Sequence, residues 1–421
     1  MQRKEATADP AAILLALTAG CIAAAQVGKV PPAIEAIRAE LSMSLVQIAW
    51  VASAISAATA ALGIAVALTM ARRGAHTGLL NGLILLTLGS VVGAEAGSGN
   101  LLLASRLLEG TGFVLVVVSA PSLIASTLAH TPRRRRQLLT VWSCYMPAGI
   151  ALTMGLAPLI LEAVGWRGLW WWNAALLAIC AALTFTYRHR LRAATRSANG
   201  PNMPTTPPSW RALRQPGPWL MGISFGAFAA IWFVIATWLP SFAVEYMGYT
   251  ARGATWLTAL AVVGNIAGNL GAGVLAAAGL PRWAVIAGVQ VMLGALGWLV
   301  FTADADPLLR SIAAIVACAA AGALPATVMA GVPIHARNPQ QILVANGIVF
   351  QCANLGSLSG PPAVAAAVTA LGGWDGGRWL IPAIAMLGVV TAVALRGVER
   401  RIADTDRITG AGFAGADAAS R

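Results

Sequence analysis

Ionisable side chains are scarce inside the apolar stretches of this chain, and the few that occur are its first candidates for chemistry. Arg106 and Glu109 lie three residues apart, so on a helix they share a face and can pair. A charged side chain at the middle of a bilayer costs about 2.5–3.5 kcal/mol on insertion scales, which makes such residues functional candidates by default. A carboxyl whose distance from Arg106 changes can take up a proton in one state and release it in another, so the pair is a candidate for proton coupling. A permanent ion pair, or an Arg106 that reaches to the nearer interface, is the structural alternative. Lys29, with Gln26 one turn before it, could offer positive charge to an anionic substrate; reaching to the interface is again the alternative.

Uncharged polar residues in apolar surroundings extend the set. Tyr145, Asn265 and Asn269, Asn346, Gln351 and Asn354 are candidates to line a substrate cavity, and hydrogen bonding between helices without any substrate is their other use. A further set is small or kinked: Gly110 and Gly112; Pro147, Gly149, Gly155 and Pro158; Gly360 and Pro361. Such residues let backbones approach and bend where two halves of a moving protein meet, and they are also ordinary packing positions. Glu35, Glu95, Glu162, Glu245, Asp304 and Asp306 fall in expected loops and read as solvated caps. His76, His130, His189 and His335 have no ligand spacing, so no metal site is expected. Cys21, Cys144, Cys180, Cys318 and Cys352 all fall in apolar runs and read as small hydrophobes, not as a disulfide framework.

The elements that must position these residues follow from composition. Of 421 residues 58% are hydrophobic and only 10% charged, with a mean hydropathy of +0.74. A soluble globular protein carries roughly one-quarter charged residues, so an ordinary water-soluble domain is excluded. Apolar runs near 11–34, 45–69, 77–94, 101–128, 137–162 and 169–187, then 218–240, 253–278, 283–302, 309–333, 342–371 and 379–396, are mostly long enough to cross a bilayer. The expectation is an all-α membrane protein of twelve transmembrane helices in two pseudo-symmetric six-helix bundles, residues 1–187 and 218–396. Between them, 188–217 is rich in arginine and proline and reads as a flexible cytoplasmic linker; 397–421 reads as a cytoplasmic tail. The start of the chain lacks the pattern of a cleaved signal peptide.

The formal net charge of +13 would suggest a polyanionic partner in a soluble protein. Here its position decides the meaning. With both termini inside, cytoplasmic segments hold 21 of the 28 lysines and arginines, and the outer loops hold five, namely Arg38, Arg167, Arg252, Arg310 and Arg378. Cationic loops stay on the cytoplasmic side, so the excess is a topology signal and nucleic-acid binding is not expected. Trp166, Trp170 to Trp172, Trp238, Trp374 and Trp379 fall near outer helix ends and are expected in an interfacial belt.

The two sixes also repeat. Gly149, Gly155, Pro158 and Gly165-Trp166-Arg167 in the first are followed in the same order by Gly356, Gly360-Pro361-Pro362, Gly373-Trp374 and Arg378-Trp379 in the second. Both copies begin on the same side, so the repeats are parallel. Arg106-Leu107-Leu108-Glu109-Gly110-Thr111-Gly112, followed by Ala120-Pro121, resembles the Arg-x-x-x-Gly-x-Gly motif of the major facilitator superfamily, and the helix holding Pro147, Gly149, Gly155 and Pro158 resembles that family's antiporter motif. Ala71, in Ala71-Arg72-Arg73-Gly74, stands where the family usually has an Asp. The resemblance covers essentially the whole chain and implies a substrate site near the midplane between the halves. Lys29-Val30-Pro31-Pro32 is similar to a branch that includes small-anion importers of the cyanate type.

No phosphate-binding loop of the Gly-x-x-x-x-Gly-Lys-Ser/Thr kind is present, and no cofactor or enzymatic cluster is expected. The expected function is secondary transport in the bacterial inner membrane, by a monomer, of a small organic compound such as a drug-like molecule or siderophore, expelled in exchange for protons. Proton-linked uptake of a small anion is the alternative, motivated by Lys29 and Arg106.

Overall fold

Polar side chains fix where several helices begin. Asp9, Ser98, Thr250 and Asp306 each accept a hydrogen bond from a backbone N–H just inside a helix, and Pro10, Pro216 and Pro307 occupy first-turn positions, where a missing N–H costs nothing. The computed structural model describes residues 9–128, 131–192, 213–335 and 339–418, and contains no β-strand among them. The first group of helices is α1 (Pro10–Gly28), the short α2 (Ile34–Leu41), α3 (Leu45–Arg73), α4 (Ala75–Ala94), α5 (Gly99–Thr127), α6 (Pro132–Trp142) and α7 (Tyr145–Thr186). The second is α8 (Pro216–Tyr246), α9 (Ala251–Ala277), α10 (Arg282–Val300), α11 (Pro307–Ala321), α12 (Ala323–Gly331), α13 (Pro339–Ala370), α14 (Trp374–Gly377) and α15 (Leu380–Ala418).

Ten stretches of the described residues are long and apolar enough to cross a bilayer. One of them, 133–186, makes two passes, and α13, 32 residues long, completes the twelve crossings. The double pass turns at Gly165, whose φ of 70° and ψ of −174° are non-helical and suit a residue without Cβ. The last helix runs on to Ala418, past the end expected at 396. Most of the basic linker, residues 193–212, and His130 and Arg337 lie outside the described residues. An even number of crossings puts both ends on one face of the membrane, called here the terminus side; the opposite face is the far side.

Within the first group α4 packs on α5 and α7, and α1 on α7; within the second α13 packs on α8, and α10 and α8 on α15. The groups meet along α3 with α13 and α7 with α9. Small residues permit the closest approaches inside each group, not between them. A Cβ on Gly149 of α7 would lie 2.1 Å from the Cys21 carbonyl of α1, and one on Gly356 of α13 would lie 2.0 Å from the Gly226 carbonyl of α8. Gly360 meets Ala230 of α8 in the same way, at 2.6 Å, and Gly110 and Gly112 of α5 meet Ile55 of α3 and Gly82 of α4.

The expected tryptophan belt holds only in part. Trp171, Trp172 and Trp379 face outward, but Trp166, Trp170, Trp238 and Trp374 are buried. Each buried ring has found neighbours inside the bundle: Trp170 fills the notch left by Gly93, and Trp374 stacks on Phe301 with centroids 4.7 Å apart. Arg310 is also buried rather than solvated in a loop; its guanidinium donates to the Tyr246 carbonyl and lies near the Phe242 ring.

Candidate functional site

Where α1, α3, α4, α5 and α7 come together, three charged side chains are withdrawn completely from solvent. Lys29 directly follows α1, Arg106 and Glu109 lie on α5, and the exposure of all three is 0%. Glu109 sits between the two cations. Its Oε1 accepts from Lys29 Nζ at 2.6 Å and its Oε2 accepts from Arg106 Nη1. The i, i+3 spacing on α5 lets Arg106 and Glu109 meet; the fold brings Lys29 to them across 80 residues of chain. The bilayer cannot solvate such groups, so each must be satisfied internally.

Among the described residues the surrounding bonds do this for every charged-group atom except one, Arg106 Nη2. Lys29 Nζ also donates to Gln26 Oε1 at 2.6 Å and to Ser90 Oγ of α4 at 3.0 Å, and it lies 4.5 Å from the ring centroid of Trp170 on α7. Arg106 donates to two backbone carbonyls, Gln26 at 2.9 Å through Nη1 and Val51 of α3 at 3.1 Å through Nε. Its Nη2 is buried with no partner among the described residues. Gln26 in turn donates to Asn173 Oδ1 of α7 at 3.2 Å, and Ser90 Oγ donates to the Trp170 carbonyl at 2.8 Å. Space for the cluster comes from α4, where a Cβ on Gly89 would lie 2.6 Å from Glu109 Cγ. Two cations and one carboxylate share this site.

The other sequence candidates lie elsewhere. Asn265 donates to the Cys318 carbonyl at 3.2 Å, and Asn269 donates to Asn265 Oδ1 at 3.0 Å, both bonds buried inside the second group. Tyr145 stacks on Trp142 at the terminus-side start of α7, apart from the ion cluster, with centroids 4.6 Å apart. Among the described residues the Asn354 amide donates within its own helix, to Phe350, and Asn346 Oδ1 is buried with no partner. Gln351 instead bridges the groups, donating to the Ala60 carbonyl of α3 at 2.6 Å. Pro147 and Pro158 are buried in α7. Pro361 is buried in α13, and its carbonyl accepts from Trp238. Gly155 faces open space, and its carbonyl accepts from Trp256 of α9 at 3.1 Å.

Several participants escaped the sequence reading. Ser90, Trp170 and Asn173 complete the cluster, and Ser56 accepts from Ser357 between α3 and α13 at 2.9 Å. Glu162, expected as a solvated cap, pairs with Arg252 across α7 and α9. Glu40 binds both Trp166 and Arg167. Ser90 and Asn173 are polar residues within otherwise apolar runs, and that signal could have been followed. Among the described residues no three His, Cys, Asp or Glu side chains gather where they could hold a metal ion.

Comparison with known proteins gives the family and the fold. The family model of the Major Facilitator Superfamily matches residues 16–336. The chain belongs to the major facilitator superfamily. It is a multi-pass membrane protein of that transporter family. This major facilitator chain is 30% identical over 148 residues to a methylenomycin A resistance protein of Bacillus subtilis, an alignment covering 35% of this chain and 31% of that one. It is 28% identical over 151 residues to a protein of the same name from Streptomyces coelicolor, covering 36% and 32%. To the cyanate transport protein CynX of Escherichia coli it is 28% identical over 190 residues, covering 45% and 46%. The chain thus spans less than half the length of each of these relatives. The fold matches a bacterial homolog of the human lysosomal transporter Spinster, in an inward-facing and unoccupied conformation, with a TM-score of 0.71 at 16% identity over 95% of this chain and 98% of that one.

Proposed function

We propose that this transporter works as a monomer in the bacterial inner membrane, with both termini in the cytoplasm, and expels a small organic compound in exchange for protons. The observation that carries the reading is the ion cluster of Lys29, Arg106 and Glu109 with 0% exposure. Three charges sealed in a membrane protein are costly, and a cluster of this kind is suited to hold a proton in one conformation and release it in another. The distribution of arginines supports the orientation. On the far side Arg252 pairs with Glu162 and Trp256 donates to Gly155, which supports a conformation closed to the outside. The two resistance proteins among the relatives support export.

A second reading, proton-linked uptake of a small anion, is favoured by one specific observation. The cluster carries one cation in excess and Arg106 Nη2 is a spare donor. The cyanate transport relative points the same way.

Purified protein in liposomes with an imposed proton gradient separates the readings. Methylenomycin A is the first cargo to test and cyanate the second. Export by exchange predicts that methylenomycin A accumulates on the side of higher proton concentration and stops moving when the gradient is collapsed. Accumulation of cyanate with protons, and none of methylenomycin A, would favour uptake. Movement of either cargo indifferent to the gradient would remove proton coupling altogether.

A further inference from the structure

The excess cation in the cluster has a consequence for where the proton resides. We infer that the exchanged proton is carried by the amine of Lys29, not by the carboxylate of Glu109. This inference rests on the proton-coupled reading above and names the group within that site.

Charge accounting leads there. Arg106 keeps its proton under all ordinary conditions. Protonating Glu109 would leave two buried cations facing a neutral acid, with no anion between them. Deprotonating Lys29 leaves the Arg106–Glu109 pair, which is neutral and remains hydrogen-bonded. The remaining neighbours from α1, α3, α4 and α7 are uncharged: Gln26, the Val51 carbonyl, Ser90, Trp170 and Asn173. Of the three charged groups, only Lys29 can change its protonation and lower the net charge.

The hydrogen bonds identify which state is seen. An ammonium has three donors, and Lys29 Nζ faces three acceptors at 2.6, 2.6 and 3.0 Å. Each acceptor is held to that role. Gln26 presents its oxygen because its amide nitrogen is bound to Asn173, and Ser90 presents a lone pair because its hydroxyl proton goes to the Trp170 carbonyl. Glu109 is an acceptor when ionised. The described conformation therefore holds the proton-loaded amine. When the site opens to water, one Nζ–H bond breaks, the electron pair stays on nitrogen, and the proton passes to a water molecule as hydronium. The cluster falls from one net positive charge to none. Reloading reverses the step. Only two of the 28 basic residues are lysines, Lys4 and Lys29; an arginine at position 29 could not perform this exchange.

That scarcity also makes the test direct. Full-length Lys4→Arg protein labelled with 13C at lysine Cε and embedded in lipid nanodiscs gives one lysine signal, assigned by its loss in Lys29→Met. The expected result is a change in that signal's position between pH 6 and pH 9, shifted to lower pH by about one unit or more in Glu109→Gln, where the anion that holds the ammonium is gone. A signal unchanged across the range overturns the inference. The cargo measurement in liposomes supplies the second arm, with methylenomycin A and cyanate as probes. Gradient-driven movement lost in Lys29→Met supports the assignment. Gradient-driven movement that persists in Lys29→Met overturns it and leaves proton coupling itself standing, whereas wild-type movement indifferent to the gradient overturns both.

Discussion

Four of the spans that enclose the ion cluster in the first group, α1, α4, α5 and α7, have as counterparts by order in the second α8, α10, α11 and α15. There the corresponding contacts are neutral. Gln290 of α10 donates to the Ser224 carbonyl of α8 at 2.7 Å, and the Ser224 hydroxyl meets that of Thr391 on α15 at 2.7 Å. The room is made the same way: Gly388 on α15 accommodates Gln290 as Gly89 on α4 accommodates Glu109. Toward the far side the second group is filled by Phe242, Phe301 and Trp374 packed ring on ring. One scaffold therefore carries two fillings. The neutral network holds helices together and has nothing to titrate, whereas the charged one holds helices together and contains titratable groups.

The largest expected contrast comes from removing the central acceptor of the charged network. Glu109→Ala leaves two buried cations uncompensated, and breaking a buried pair in this way costs about 3–5 kcal/mol. Unfolding of the detergent-solubilised protein should show that loss together with abolished transport; near-wild-type stability would mean that the cluster is not sealed. Next come the matched glycines. Gly149→Ala and Gly356→Ala each force a methyl group against a carbonyl about 2 Å away and should cost roughly 1–3 kcal/mol apiece, in similar measure, if the two groups are true repeats. A large loss in one and none in the other would break the pseudo-symmetry.

Smaller again is Gln290→Ala, which removes one neutral buried hydrogen bond, a loss of about 1 kcal/mol that should leave the dependence of transport on the proton gradient intact. Loss of that dependence would show that the second group also takes part in proton exchange. The smallest effect on stability is expected from Arg252→Ala, since its pair with Glu162 is exposed. Its readout is access. A cysteine introduced at Gly155 should react faster with a membrane-impermeant thiol reagent added on the far side when Arg252 is replaced, and an unchanged rate would argue that the pair does not hold that side shut.

How much of this was legible in the sequence depends on the range of the interaction. Span lengths and the Arg106–Glu109 pair are local properties, written in hydropathy and in i, i+3 spacing, and they were readable directly. The repeat was readable because Gly165-Trp166-Arg167 and Gly373-Trp374 punctuate both halves alike. The approach of Lys29 to Glu109 was not, since only the packing of α1 against α5 decides whether a lysine at a helix end turns inward or reaches for the interface. The tryptophans failed for a related reason. Position near a helix end suggested a belt, but Trp170 and Trp374 are held inward by a matching glycine notch and by stacked rings, features of the partner helix and not of the tryptophan's own surroundings in sequence. Glycines at positions 149 and 360 were marked as sites of close approach, yet which helices they join follows from the pairing of first and fifth spans within each group.

Proton movement measured beside cargo movement tests the central claim most directly. In liposomes carrying a pH-sensitive dye, with methylenomycin A and then cyanate as cargo, the wild type and Gln290→Ala should move protons whenever cargo moves, and Lys29→Met should move none. Cargo that crosses in the wild type without any proton signal, or an undiminished proton signal in Lys29→Met, would contradict it.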